Sequence, residues 1–131
     1  MKSENLVRDK SYAFALRIVM LYRFLSEEMR EFVLSKQVLR SGTSIGANVE
    51  EALGGQSEKD FQAKLLIAYK EARETLYWLR LLHDSGYIND NNFDSLSSDC
   101  DELLKLLGSI TKSMKDKLNN ARRSYPVAKN F

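Results

Sequence analysis

The chain of 131 residues has 44% hydrophobic and 29% charged residues and a net charge of +2, which is the composition of one ordinary soluble domain. These values exclude a disordered chain, which needs low hydrophobicity and a large net charge. No apolar run reaches the roughly 20 residues of a membrane span, because Arg17, Arg23 and Arg80 interrupt the candidates.

Strand-like alternation is absent, and the single proline, Pro126, leaves the chain before it free of strong helix breakers. The first helix is expected over residues 8–31, with Phe14, Ile18, Leu21 and Leu25 at helical spacing on one stripe. Tyr12, Leu16, Val19, Met20 and Tyr22 occupy other angles. A helix apolar over more than one stripe is buried on two sides, and in so short a chain the second side predicts a subunit interface.

The second helix is expected to start near Ser35 as N-cap and to run to about residue 53, with Val38, Ile45, Val49 and Ala52 inward. Its centre, residues 41–48, is a run of small residues in which two glycines each cost about 1 kcal/mol relative to alanine. Gly42 and Gly46 lie four apart on one face, with Ser44 and Asn48 beside them, so the stretch predicts a strip where another backbone approaches closely. Gly54 and Gly55 end the helix.

Ser57, followed three residues later by Asp60, resembles a capping box for a third helix over residues 58–85. Phe61, Leu65, Ala68, Ala72, Leu76, Leu79 and Leu82 face inward, while Tyr69, Tyr77, Trp78 and Leu81 spread beyond one stripe. Gly86 fits the terminating position, with Ile88 as its hydrophobic contact. The fourth helix is capped by Asp90 or a neighbouring asparagine. Phe93, Leu96, Cys100, Leu103, Leu107, Ile110 and Met114 then form a heptad seam. Short connections make sequential helices antiparallel, which predicts an all-α, up-down-up-down four-helix bundle over residues 1–120. Residues 121–131 are expected to form a basic, flexible tail.

Four-helix bundles often hold di-iron sites, which need Glu-x-x-His pairs. This chain has one histidine, His83, preceded three residues earlier by Arg80, so neither a metal nor another cofactor is expected. There is no phosphate-loop Gly-Lys-Ser/Thr, and Cys100 on the heptad seam reads as a buried structural thiol. A non-enzymatic protein follows. Residues 1–8 lack the apolar core of a signal peptide, and one cysteine cannot form an internal disulfide, so the expected setting is cytoplasmic, with no membrane association.

Charge is unevenly spread. Residues 86–111 hold Asp90, Asp94, Asp99, Asp101 and Glu102 against Lys105, while residues 112–131 hold Lys112, Lys115, Lys117, Arg122, Arg123 and Lys129 against Asp116. Acids at a helix start and bases at its end suit the helix dipole, but a basic tail also suits nucleic acid or an acidic partner. Arg17, Arg23 and Arg30 on the first helix, and Lys70, Arg73 and Arg80 on the third, could join Arg122 and Arg123 in contacting RNA or DNA phosphates. The competing reading is solvation balanced by neighbouring acids. With no base-reading motif, such binding would be backbone-led.

The segment Arg40-Ser41-Gly42-Thr43-Ser44-Ile45-Gly46-Ala47-Asn48-Val49-Glu50-Glu51-Ala52 resembles the signature of a bacterial family of small four-helix proteins. That family is named for members encoded in intervening sequences of the large-subunit ribosomal RNA gene. The segment is also similar to the accessory variability proteins of diversity-generating retroelements. Ser57 to Ala68, then Glu71, Glu74 and Tyr77-Trp78-Leu79, extend the likeness. The resemblance implies an antiparallel bundle assembling into a ring-shaped homopentamer. For the retroelement relatives it implies nucleic-acid binding and association with a reverse transcriptase. Two functions stand: a homo-oligomeric scaffold associated with RNA or nucleoprotein, or an oligomeric adaptor that binds a protein partner and no nucleic acid.

Overall fold

The computed structural model describes residues 2–124 and consists of four helices joined by short turns. They are α1 (Lys2–Arg23), α2 (Leu34–Leu53), α3 (Glu58–Asp84) and α4 (Asp90–Ser124). Each helix packs on its neighbours in sequence, and α4 closes the bundle against α1. The fold is the expected all-α, antiparallel four-helix bundle, with α1 and α3 on one diagonal and α2 and α4 on the other. Phe14, Ile18, Val38, Ile45, Leu65, Leu79, Leu103 and Leu107 meet on the axis and are wholly or almost wholly buried. Leu96, Cys100, Leu103 and Leu107 of the heptad seam are buried, while Phe93, Ile110 and Met114 near its ends are half-covered.

Helix boundaries depart from the sequence reading in three places. First, α1 begins six residues early, because Val7 reaches the core and extends the inward stripe by two turns. Second, its end is a π-helical turn over Phe24–Glu28, in which the Met29 N–H donates to the Phe24 carbonyl at 3.2 Å. The wider turn keeps Leu25 in the core before Arg30, at φ 54°, reverses the chain in the left-handed region.

Third, Ser35 does not cap α2. The helix starts one residue earlier, and Ser35 sits inside it, fully buried. The cap comes from Glu31, whose Oε1 accepts the N–H groups of Val33 (3.1 Å) and Leu34 (2.9 Å) and whose Oε2 accepts that of Ser35 (2.6 Å). These are donors that the first turn of a helix leaves without partners. Burial alone would raise the Glu31 pKa, but the three N–H donors outweigh it and hold the carboxyl below its ordinary range. A depressed folded pKa contributes stability above the unfolded carboxylate value, about 4.3, and loses it as pH falls through the folded value. Glu31→Gln is expected to cost about 1–3 kcal/mol at neutral pH. It should also flatten the acid limb of a plot of urea midpoint against pH, and an unchanged acid limb would count against this cap.

At the other helix starts the sequence reading matches local geometry. Ser57 Oγ accepts from the Asp60 N–H at 3.1 Å, and Asn89 Oδ1 accepts from the Asn92 N–H at 2.8 Å ahead of α4. Gly86 has φ +87°, a region closed to most side chains, and Ile88 beyond it is buried. The 35 residues of α4 span about 52 Å. Its helix continues through residues 121–124 of the stretch read as a tail, and residues 125–131 lie outside those described.

Candidate interaction surfaces

The small-residue strip of α2 joins three helices. A Cβ on Gly42 would lie 2.8 Å from both Cγ1 and Cγ2 of Ile18, and one on Gly46 would lie 3.3 Å from the Ser11 carbonyl oxygen. Both glycines therefore face α1, and the missing side chains let Ile18 and the Ser11 backbone close on α2. The flank toward α3 is polar. Buried Thr75 Oγ1 bonds Ser41 Oγ at 2.9 Å, and Arg40 Nη1 donates to Glu71 at 3.2 Å while its Nη2 pairs with Glu74. Trp78 Nε1 donates to the same Glu74 at 2.9 Å. Ser44 and Asn48 are half-buried and bond within α2, to the carbonyls of Arg40 (2.6 Å) and Ser44 (2.8 Å). The quoted motif thus includes both halves of one inter-helix network, Arg40 with Glu71, Glu74 and Trp78.

The arginines read as a phosphate surface do not form one patch. Arg17 is engaged across the surface of the bundle: Nη1 donates to Asp99 at 2.6 Å and Nη2 to Ser95 Oγ at 2.9 Å, across to α4. Arg23 is exposed beside the Met20 sulfur at 4.0 Å. Arg73 and Arg80 are exposed on α3, the opposite corner from Arg17 and Arg23. Arg122 is exposed in the last turns of α4, and the Arg123 side chain falls outside what the structure describes. Sequence reasoning placed Lys115 and Arg122 in one basic run but missed the α3 residues they adjoin, Lys59 and Gln62. A groove of about 430 Å³ is lined by Lys59 and Gln62 at the start of α3 and by Lys115, Leu118, Asn119, Ala121 and Arg122 of α4. The spacing of Lys112, Lys115, Asn119 and Arg122 on one helical face was the available signal.

On the helices, the large exposed apolar side chains of the described residues lie on one diagonal. Tyr12 (63% exposed), Leu16 (53%), Met20 (61%) and Val19 point outward from α1, and Leu66, Ile67, Tyr77 and Leu81 point outward from α3. No residue of α2 or α4 is among the large exposed apolar side chains of the described residues. The turn after α1 adds Met29, Phe32 and Val33, the last 71% exposed. A groove of about 260 Å³ beside Tyr12, between α1 and α2, includes Ser11, Ala15, Gly46 and Ala47.

Cys100 and His83 both have structural partners. Cys100 Sγ donates to the Ala72 carbonyl at 3.2 Å, and burial pushes the thiol up to about 12, which keeps it protonated. His83 Nε2 lies 2.7 Å from Asp90 Oδ1 and Nδ1 lies 3.3 Å from Asp84, while the ring stacks on Phe93 at 4.4 Å. The Asp90 hydrogen bond, reinforced by both negative charges, raises the imidazole pKa. A raised folded value adds stability below the unfolded pKa, about 6.5, and loses it as pH rises through the folded value. The urea midpoint is therefore expected to fall across that window and to stay flat in His83→Gln. An equal fall in the variant would remove His83 as the cause. Among the described residues no group of histidine, cysteine and acidic side chains could hold a metal ion, and no helix is long and apolar enough to cross a membrane.

Residues 3–109 match the model of the 23S rRNA-intervening sequence protein. The chain belongs to that family. It is also similar to a crystal structure of a protein of unknown function from the S23 ribosomal protein family of Bacteroides thetaiotaomicron. The two are 56% identical with a TM-score of 0.83, over 84% of this chain and 98% of that one. No curated protein matches the chain. The family match spans the signature in α2 and the Glu71, Glu74 and Trp78 network in α3, and ends before the last turns of α4.

Proposed function

We propose that this 23S rRNA-intervening sequence family protein is a non-enzymatic, self-assembling helical scaffold associated with RNA or a nucleoprotein. One observation carries the reading: the exposed apolar residues lie outward on two diagonally opposite helices, α1 and α3. A single apolar patch would suit a two-fold dimer. Two opposed patches suit head-to-tail contact, which closes into a ring or runs on as a filament. The ring-shaped homopentamer that the resemblance implies is one closed form of this arrangement. Multi-angle light scattering at micromolar concentration tests it; the expected mass is a discrete multiple of 15.1 kDa, and a monomer rejects it.

The adaptor reading is favoured by the separation of the arginines. Arg17 is paired with Asp99, and Arg23 and Arg73 lie on opposite corners, so no single arginine surface faces a nucleic acid. Recovery of a stoichiometric protein partner with no co-purifying nucleic acid would favour the adaptor. Co-purifying RNA that nuclease removes would favour the scaffold associated with RNA.

A further inference from the structure

We infer that the groove between the first turns of α3 and the last turns of α4 binds the phosphodiester backbone of single-stranded RNA, with Lys59, Lys115 and Arg122 as its phosphate contacts. The inference rests on the RNA-associated part of the proposed function and moves it to residues outside the arginine set of α1 and α3. Three observations carry it. The groove, about 430 Å³, is lined by three cations and by no carboxylate. Several cations elsewhere are matched, Lys10 with Glu102, Arg17 with Asp99, Arg40 with Glu71 and Glu74, and Lys64 with Glu51, whereas the unpaired ones on α3, such as Arg73 and Arg80, do not line this groove. Even Lys117, in the same turns of α4, turns away to Glu58 at 2.5 Å. Lys59, Lys115 and Arg122 are exposed and make no ion pair among the described residues.

The remaining lining explains which polyanion fits. Leu118 and Ala121 give an apolar floor, and Gln62 and Asn119 put carboxamides at the groove. A carboxamide both donates and accepts, as does a ribose 2′-hydroxyl, the group that separates RNA from DNA. No aromatic ring lines the groove among the described residues, so bases are not stacked and recognition is independent of sequence. From Lys112, one turn before Lys115 on the same face, to Arg122 the helix rises about 15 Å. That matches a track along a strand better than a pocket for one small anion.

The test uses the full chain and a labelled single-stranded RNA of about ten nucleotides, read by fluorescence anisotropy across salt concentrations. Three phosphate contacts on a single strand predict a slope of about −2 in log affinity against log salt. Lys59→Ala/Lys115→Ala/Arg122→Ala is expected to lose at least tenfold in low-salt affinity and nearly all of that slope. Lys2→Ala/Lys36→Ala/Lys105→Ala, which removes the same charge from other surfaces, is expected to keep most of both. Equal losses in the two triple variants, or retention of the slope in the first, would overturn the groove. Equal binding of the deoxy strand or of an acidic polyglutamate peptide, or binding to phosphatidylserine vesicles in place of RNA, would overturn the RNA assignment. Light scattering on the same samples separates the readings. Assembly without RNA binding sinks this inference alone, whereas a monomer sinks the scaffold.

Discussion

Gly42→Ala is expected to destabilise the fold even though alanine is the better helix former. In an exposed helix the substitution would gain about 1 kcal/mol. Here the new methyl would stand 2.8 Å from two carbons of Ile18, a β-branched side chain fully buried between helices. Neither group can swing aside, because Ile18 has one preferred rotamer in a helix and its neighbours are close-packed. Overpacking of this kind costs about 1–3 kcal/mol, so the net loss should be about 1–2 kcal/mol after the propensity gain. Moving α1 away would also loosen the approach of the Ser11 carbonyl to Gly46, 3.3 Å from where a Cβ would stand. A double-mutant cycle isolates the contact. Ile18→Ala alone should cost about 2–5 kcal/mol by leaving a cavity, and combining it with Gly42→Ala should recover about 1 kcal/mol or more as favourable coupling. Strict additivity in urea unfolding would show that the two residues do not meet.

That example shows where sequence periodicity was sufficient. The helices were legible because their inward stripes are regular; Phe14, Ile18, Leu21 and Leu25, or Leu96, Cys100, Leu103 and Leu107, repeat at spacings only a helix places on one face. The glycine pair stood out because two glycines four apart in a helix with a regular inward stripe carry a cost that needs a contact to offset it. The Glu31 cap was not legible. Its side chain reaches forward from a turn whose geometry depends on the π-helical turn and on Arg30 in a left-handed conformation, neither of which has a marker in local composition. Ser35 looked the better cap by residue type, yet tertiary packing drew it into the core.

Charge was legible only as a count along the chain. The acids and bases of α4 read as a dipole pattern, but cross-helix partners decide which are available. Arg17 has its carboxylate 82 residues away in sequence, and Lys117 has its own 59 residues away. Lys59 and Arg122 come together only because α3 and α4 run antiparallel. One-dimensional charge patterning therefore included Arg17, which the fold already pairs with Asp99, and passed over Lys59, which has no ion pair among the described residues.

Leu16→Glu is expected to dissociate the assembly while leaving each bundle folded. Leu16 is 53% exposed at the centre of the outward face of α1, between Tyr12 and Met20, and points away from the core. In an isolated subunit a glutamate there meets water, so the cost should stay within about 0.5 kcal/mol. Within a packed interface the same carboxylate would be desolvated without a partner, and the penalty reaches several kcal/mol per ion. Head-to-tail contact multiplies that penalty, since every joint of a closed ring contains one α1 face. A mass falling to 15.1 kDa, with an unchanged helical circular dichroism spectrum, is the expected result. Glu51→Gln on the polar α2 flank, paired with Lys64 at 2.7 Å, serves as the surface control and should leave the mass unaltered. A Leu81→Glu variant on the diagonal face of α3 discriminates the geometry. If the faces meet α1 to α3, mixing Leu16→Glu with Leu81→Glu subunits permits one intact joint per pair, between the unaltered α3 face of one and the unaltered α1 face of the other. Equimolar mixing should then give dimers from two monomeric variants. An α1-to-α1 contact would instead leave Leu81→Glu assembled on its own, and the mixture would contain no new species.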